Sequence, residues 1–348
     1  MQKKTPLLGI NYQTLLSLFP EAPKYRIDQI LYWVYKKLIL DPNQMSNIPS
    51  DIKNSLIEKT TFEFPKIVES SITSDSTEKF LFELDDSNCI ESVIIKSPDR
   101  VTFCLSSQVG CPIKCRFCAS GMPEFVRNLS VSEILGQFIN LSNHIKKLPD
   151  NLVFMGIGEG LLNFENLMKS LDIICSEKYI GYSQRRITIS TSGLPTQIDR
   201  LADLDKQYNL AVSLHAPDDI TRAKLIPDKT RFPVSEIVRS CERFFAKTGR
   251  MLTIEYTLIE NINDSLNHSE ELAAISKKLR AKINLIPFNK VEGSEFSRPS
   301  REKCIAFSNQ LQKSGALVTF RYEKGSGIDA ACGQLRSRKL NLNNPNHK

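Results

Sequence analysis

The sequence predicts an α/β fold in which a parallel sheet, either doubly wound or curled into a barrel, is flanked by helices and preceded by a small helical unit. Three observations carry this. Short β-branched and aliphatic strand candidates recur from about residue 101, stretches with a helical apolar stripe lie between them, and strand and helix alternate some six times. A chain of 348 residues with 41% apolar and 24% charged residues also excludes the disordered, collagenous and coiled-coil classes.

Residues 1–85 read as an N-terminal helical accessory domain. Ile27, Ile30, Leu31 and Val34 fall at i, i+3, i+4 and i+7, and the opposite face carries Arg26, Gln29, Lys36 and Lys37. Tyr12–Leu18 and Asp51–Lys59 predict short neighbouring helices. The unit either offers its basic face to a partner or only caps the main domain, and the sequence leaves both readings open. Residues 86–335 read as the core. A strand-rich stretch, Lys79–Lys96, leads into it. The strand candidates are then Val101–Leu105, Leu152–Met155, Arg186–Ser190, Leu210–Leu214, Leu252–Leu258, Ile283–Ile286 and Leu317–Tyr322. Between them, Ser130 opens a helix through a capping box to Glu133, followed by the stripe Ile134, Leu135, Phe138, Leu141 and Ile145. Val234, Ile237, Val238, Cys241 and Phe244 make a second stripe, and Leu272, Ile275 and Leu279 a third. In such a sheet, ligands belong at the carboxyl ends of the strands. Residues 336–348, with Arg336, Arg338, Lys339 and several Asn, read as a basic flexible tail.

Lys and Arg total 46 against 39 Asp and Glu, a charge of +7 that permits nucleic-acid binding without requiring it. No apolar run approaches the ~20 residues that cross a bilayer, and the first residues carry too short an apolar stretch for a signal peptide. A cytoplasmic protein with no membrane partner is expected. Nine cysteines in a reducing compartment are not a disulfide framework, and three of them crowd into eight positions.

Those three, Cys111-Pro-Ile-Lys-Cys115-Arg-Phe-Cys118, stand just after the first strand of the alternation. Three thiolates on one short loop can hold three corners of a [4Fe-4S] cluster and leave the fourth iron open. Structural zinc is the competing reading, with Cys104 as a fourth ligand, although its spacing does not suit paired knuckles. Gly156-x-Gly158-x-Gly160 is only a weak, incomplete dinucleotide-loop signal.

C-x3-C-x2-C at this place, with the aromatic Phe117 before the last cysteine, resembles the radical S-adenosylmethionine (SAM) superfamily. In that superfamily the open iron is chelated by SAM. Phe125-Val126-Arg127-Asn128-Leu129-Ser130, Met155-Gly156-Ile157-Gly158-Glu159, Ile189–Gly193, Ser213-Leu214-His215-Ala216, Ile283–Asn289 and Ile328–Leu335 together resemble the RlmN/Cfr family of RNA adenine methyltransferases. The resemblance runs from about residue 24 to 335 and implies a partial (β/α)6 TIM-like radical SAM barrel. It also implies a [4Fe-4S] cluster on Cys111, Cys115 and Cys118, and two SAM molecules per turnover. One SAM methylates a protein cysteine; the second, cleaved reductively, yields the radical that activates that methyl group for addition to an adenine carbon.

By the same resemblance Cys332 bears the methyl group and Cys104 resolves the protein–RNA adduct through a transient disulfide. Glu91 is the proton acceptor, and Gly158, Glu159, Ser190, Ser213, Leu214, His215 and Asn289 contact SAM. Read from residues alone, Cys104 also fits a buried inert thiol, Glu91 an exposed strand glutamate and His215 a hydrogen-bonded core histidine. Cys89, Cys175, Cys241 and Cys304 match nothing and are expected in the core. The family usually has Pro where Gly160 stands, and Gly-Asp-Asp-Ile before the Ala-Ala-Cys where this chain has Gly325-Ser326-Gly327-Ile328-Asp329. It commonly has Pro at Lys96, and Thr-Gly where Ser120–Pro123 stands. The implied substrates are an adenosine in the peptidyl-transferase region of 23S rRNA and the adenosine 3′ of the anticodon in some tRNAs, methylated at carbon 2. A flavodoxin-type reductant protein and a monomeric state belong to the same expectation. Carbon-8 methylation, a radical enzyme acting on a small molecule or peptide, and a zinc-stapled RNA-binding module are the alternatives.

Overall fold

The computed structural model describes residues 4–62, 64–227, 229, 231–320, 329–331 and 333–335. Helices α1 (Tyr12–Leu18), α2 (Lys24–Leu31) and α3 (Ser50–Lys59) form the N-terminal unit, and a π-helical turn over Tyr32–Lys36 prolongs α2. The stripe Ile27, Ile30, Leu31 and Val34 is at most 2% exposed, as its 3.6-residue period requires.

Ten strands make one sheet among the described residues: β1 (Lys66–Ile72), β2 (Glu78–Glu83), β3 (Cys89–Ser97), β4 (Arg100–Cys104), β5 (Asn151–Phe154), β6 (Ile187–Thr191), β7 (Asn209–Ser213), β8 (Thr253–Leu258), β9 (Lys282–Pro287) and β10 (Leu317–Phe320). They lie side by side in chain order. From β4 to β10 every neighbouring pair is parallel. From β1 to β4 the pairs are antiparallel. Helices α4 (Val131–Ile145), α5 (Phe164–Cys175), α6 (Pro195–Ala202), α7 (Asp219–Leu225), α8 (Val234–Thr248), α9 (Leu266–Lys278) and α10 (Arg301–Lys313) provide the crossovers. This is the expected α/β layout, with parallel strands running from the Val101 to the Leu317 candidates.

β1 and β2 depart from the expected boundary at residue 85, because both are hydrogen-bonded into the main sheet. Their pattern is hard to read locally: β1 is an edge strand exposed along nearly its whole length, so it carries no hydrophobic alternation. The capping box of α4 forms as expected, with Ser130 Oγ accepting from the Glu133 N–H at 3.2 Å and a Glu133 oxygen accepting from the Ser130 N–H at 2.7 Å.

The two faces of the sheet are distinct. Ile90 and Ile94 of β3, Phe103 and Leu105 pack with the helices in the main core. Val93 and Cys104 point to the other face, where they join Ile157, Ala330 and Leu335 in a second apolar cluster. Residues 329–331 and 333–335 therefore lie against the sheet as a strap. The Ala119 N–H donates to the Gly333 carbonyl at 2.7 Å, and Ser120 Oγ donates to the Leu335 carbonyl at 2.7 Å. Cys332 and the tail 336–348 lie outside the described residues. No helix among the described residues is long and apolar enough to cross a membrane.

Candidate active site at the carboxyl ends of the parallel strands

One cavity opens where the parallel strands end, with about 960 Å³ of empty space that includes its mouth toward solvent. Its wall takes the cysteine loop that follows β4, the turn after β5, the ends of β6 to β9, and Gly333 and Leu335 of the strap. Cys111, Cys115, Cys118, Gly158, Glu159, Ser190, Ser213, His215 and Asn289 all line it.

The loop is held from both sides: the Arg116 N–H donates to the Leu225 carbonyl at 2.9 Å, and the strap bonds to Ala119 and Ser120. Burial pushes the Cys111 thiol up to about 12 and raises Cys115 and Cys118 as well. Iron loading must therefore displace the protons. Among the described residues no three His, Cys, Asp or Glu side chains converge on a single-ion position. Cys104 belongs to the second apolar cluster on β4 and not to the loop.

Glu159 is 4% exposed and fixed on several sides. Its N–H donates to Gln108 Oε1 at 2.8 Å, while its carboxylate accepts from the Leu161 N–H at 3.3 Å and the Ser192 N–H at 2.6 Å. Burial raises its pKa against those hydrogen bonds. A cation brought into the cavity would thus meet a carboxylate with strong reason to pair. Gly158, at φ +108°, packs so closely on Gln108 and Ser107 that a side chain would overlap them. At Gly160, by contrast, a Cβ would meet its nearest neighbour, Leu167, at an ordinary 3.4 Å. The departure from the family's usual Pro is therefore local. Lys96, the other such position on the sheet, forms an ion pair with Glu78.

His215 has φ +58° and its ring meets Phe117 edge-on at 4.7 Å. The Thr257 N–H donates to Nδ1 at 3.0 Å, which leaves the proton of the neutral ring on Nε2. Burial, reinforced by the charge of Arg222, pushes the imidazole down to about 3. The residue is a neutral hydrogen-bond donor at physiological pH, held by the core and exposed to the cavity at once. Ser190 Oγ and Ser213 Oγ lie 3.4 Å apart on adjacent strands. Leu214 does not line the cavity: it is 2% exposed in the core, and its carbonyl accepts from Arg222 Nε at 3.1 Å.

Glu91 and Cys104 lie outside that cavity wall, on β3 and β4. Glu91 is 3% exposed, so it is not an exposed strand residue. Cys89, Cys241 and Cys304 are buried, and Cys175 is half-buried. Two residues gave no signal in the sequence: Gln108, and above all Arg222 of α7. Arg222 is 1% exposed and donates to the carbonyls of Ser192, Leu214 and Phe232, tying the ends of β6 and β7 together.

The profile of the Radical SAM superfamily matches residues 105–273, and that of the ribosomal RNA large subunit methyltransferase N-terminal domain matches residues 5–61. A "Probable dual-specificity RNA methyltransferase RlmN" of Thermotoga sp. (strain RQ2) is 42% identical, over 96% of this chain and 98% of its own length. A protein of the same description from Akkermansia muciniphila is 44% identical over 96% and 97%. The crystal structure of a radical SAM methyltransferase from Sphaerobacter thermophilus superposes with a TM-score of 0.91 at 38% identity, covering 95% of this chain and 99% of that one.

Proposed function

The chain belongs to the RlmN family of radical SAM RNA methyltransferases, and from that premise we propose that it methylates carbon 2 of adenosine in two RNAs. The targets are an adenosine in the peptidyl-transferase region of 23S rRNA and the adenosine 3′ of the anticodon in certain tRNAs. The observation that carries the reading is the single cavity in which three loop thiols face a buried carboxylate, two strand-end hydroxyls and a neutral imidazole.

A [4Fe-4S] cluster and SAM would supply, when bound, the one-electron chemistry that lets a methyl group be added to an electron-poor ring carbon. Cys111, Cys115 and Cys118 would hold the cluster. Glu159 would receive the ammonium of SAM beside the bare backbone of Gly158, with Ser190, Ser213, the His215 Nε2–H and Asn289 completing the polar contacts. Gly333 and Leu335 of the strap contribute to the cavity wall. Two SAM are used per turnover. Cys332 carries the methyl group to the base, Glu91 accepts the proton from the methylated ring carbon, and Cys104 forms the transient disulfide with Cys332 that releases product. A flavodoxin-type protein as reductant and a monomeric enzyme complete the proposal.

The test is metal and labile sulfide in protein purified without oxygen, for the native chain and Cys115→Ala. About four irons and four sulfides, absent from the variant, are expected for a three-cysteine cubane. One zinc and no sulfide would end the radical reading. Mass spectrometry of reacted rRNA and tRNA then places the methyl group, and methylation at carbon 8 would overturn the assignment to carbon 2.

A further inference from the structure

β2 and β3 pair so that Lys79 stands opposite Val93 and Leu81 opposite Glu91. Lys79 and Glu91 are therefore diagonal neighbours on one face of the sheet. That is the face of Val93 and Cys104, against which the strap lies. Phe80 and Phe82 of β2 face the helices, so the period of two turns Lys79 inward. Its Nζ lies 3.3 Å from Glu91 Oε1, with the two side chains only 14% and 4% exposed. The same ammonium donates to the Asp329 carbonyl at 3.5 Å, in the strap and three residues before Cys332 in sequence.

Resting on the reading of Glu91 as proton acceptor, we infer that Lys79 is a positioning residue for RNA methylation: it aims the Glu91 carboxylate at the base, and the Asp329 carbonyl of the strap holds its ammonium in place. In the step it serves, the proton on the methylated ring carbon passes to a Glu91 oxygen and the C–H electron pair stays in the ring. A carboxylate free to rotate away would leave the protein–RNA adduct intact. The ammonium restrains it with one donor and the strap with another, which a single neutral side chain of the same length does not do. Loading of the methyl group onto Cys332 does not involve that proton and is independent of Lys79.

The experiment uses the cluster-loaded full chain and a synthetic anticodon stem-loop RNA. Lys79→Met, Lys79→Gln, Lys79→Arg, Glu91→Gln and the Lys79→Met/Glu91→Gln pair are compared. The readouts are methyl occupancy of Cys332 by peptide mass spectrometry, methylated adenosine formed, and covalent protein–RNA adduct on a denaturing gel. Lys79→Met is expected to keep its methyl occupancy, lose about 100-fold in RNA methylation, the scale of one general base, and accumulate adduct. Lys79→Gln, which keeps a donor and drops the charge, should behave likewise if Lys79→Met does not fold. Lys79→Arg should recover most of the loss, and the double variant should be no worse than Glu91→Gln. Equal loss of methyl occupancy and RNA methylation, or losses that multiply in the double variant, would overturn the inference. Full RNA methylation by Glu91→Gln would instead overturn the role of Glu91 on which it rests, while an inactive Glu91→Gln beside an active Lys79→Met would overturn Lys79 alone.

Discussion

Gly158→Ala should be among the more damaging single-carbon additions to this protein. The residue has φ +108°, and an added Cβ would lie 2.6 Å from Gln108 Cβ, 2.8 Å from its Cγ and 2.8 Å from Ser107 Oγ. Holding alanine in that backbone region costs about 1–3 kcal/mol. Overpacking adds about 1–3 kcal/mol, and Gln108 is poorly placed to yield: its Nε2 donates to Asn128 and its Oε1 accepts from the Glu159 N–H, both at 2.8 Å. The expected loss is about 2–6 kcal/mol. Gly249 supplies the control, because it caps α8 at φ +65° with nothing within 4 Å of an added Cβ. Gly249→Ala should show the backbone cost alone, about 1–2 kcal/mol. Urea unfolding at constant m separates the two. Equal midpoints for the variants would refute the packing argument, and a native midpoint for Gly158→Ala would refute both halves of it.

Three further outcomes are expected. Glu159→Gln keeps one of the two oxygens that accept backbone N–H groups and replaces the other by an NH2 that cannot accept, costing about 1–3 kcal/mol. With the charge gone, SAM affinity measured by calorimetry on cluster-loaded protein should fall by about tenfold or more, and unchanged affinity would remove Glu159 from the site. His215 is held at about 3 in the fold against 6.5 in a free chain. The unfolded state therefore binds more protons between those values, so the stability due to neutral His215 is complete above pH 6.5 and is lost as pH falls toward 3. The stability gap between the native chain and His215→Asn should narrow by about 3 kcal/mol from pH 7 to pH 4, and a constant gap contradicts the burial argument. Replacing Arg26, Lys36 and Lys37 together by Gln should weaken RNA binding and flatten its salt slope by roughly 0.7 per lost phosphate contact. Since Arg26 is already bonded to Gln29 and Asn47, the two lysines should account for most of the change, and an unaltered slope would leave the helical unit as a cap only.

Much of the fold was readable residue by residue because the forces that write it are local. The capping box at Ser130 involves atoms three residues apart, and the α2 stripe follows from the helical period alone. The cysteine loop was equally plain, since three ligands within eight positions need no tertiary structure to be neighbours. Glu159, Ser190, Ser213, His215 and Asn289 were named by the family resemblance alone, and they line one cavity at the carboxyl ends of the parallel strands, where such a sheet offers its sites. The edge strand β1 escaped notice because a strand exposed on both faces bears no pattern.

What only the tertiary structure decided is the second layer of the site. The Ser192 N–H reaches the Glu159 carboxylate across 33 residues of chain, and Arg222 reaches Ser192 across 30. Lys79 meets Glu91 only through the register of an antiparallel pair, and a slip of one residue would turn it to the opposite face. The strap meets the cysteine loop across 215 residues. Sequence by itself determined the donor groups and the helices and strands that carry them, through neighbours a turn or two apart. Which groups hold those donors in place depends on sheet register and chain crossover, set by the packing of the whole core and expressed in no local stretch of residues.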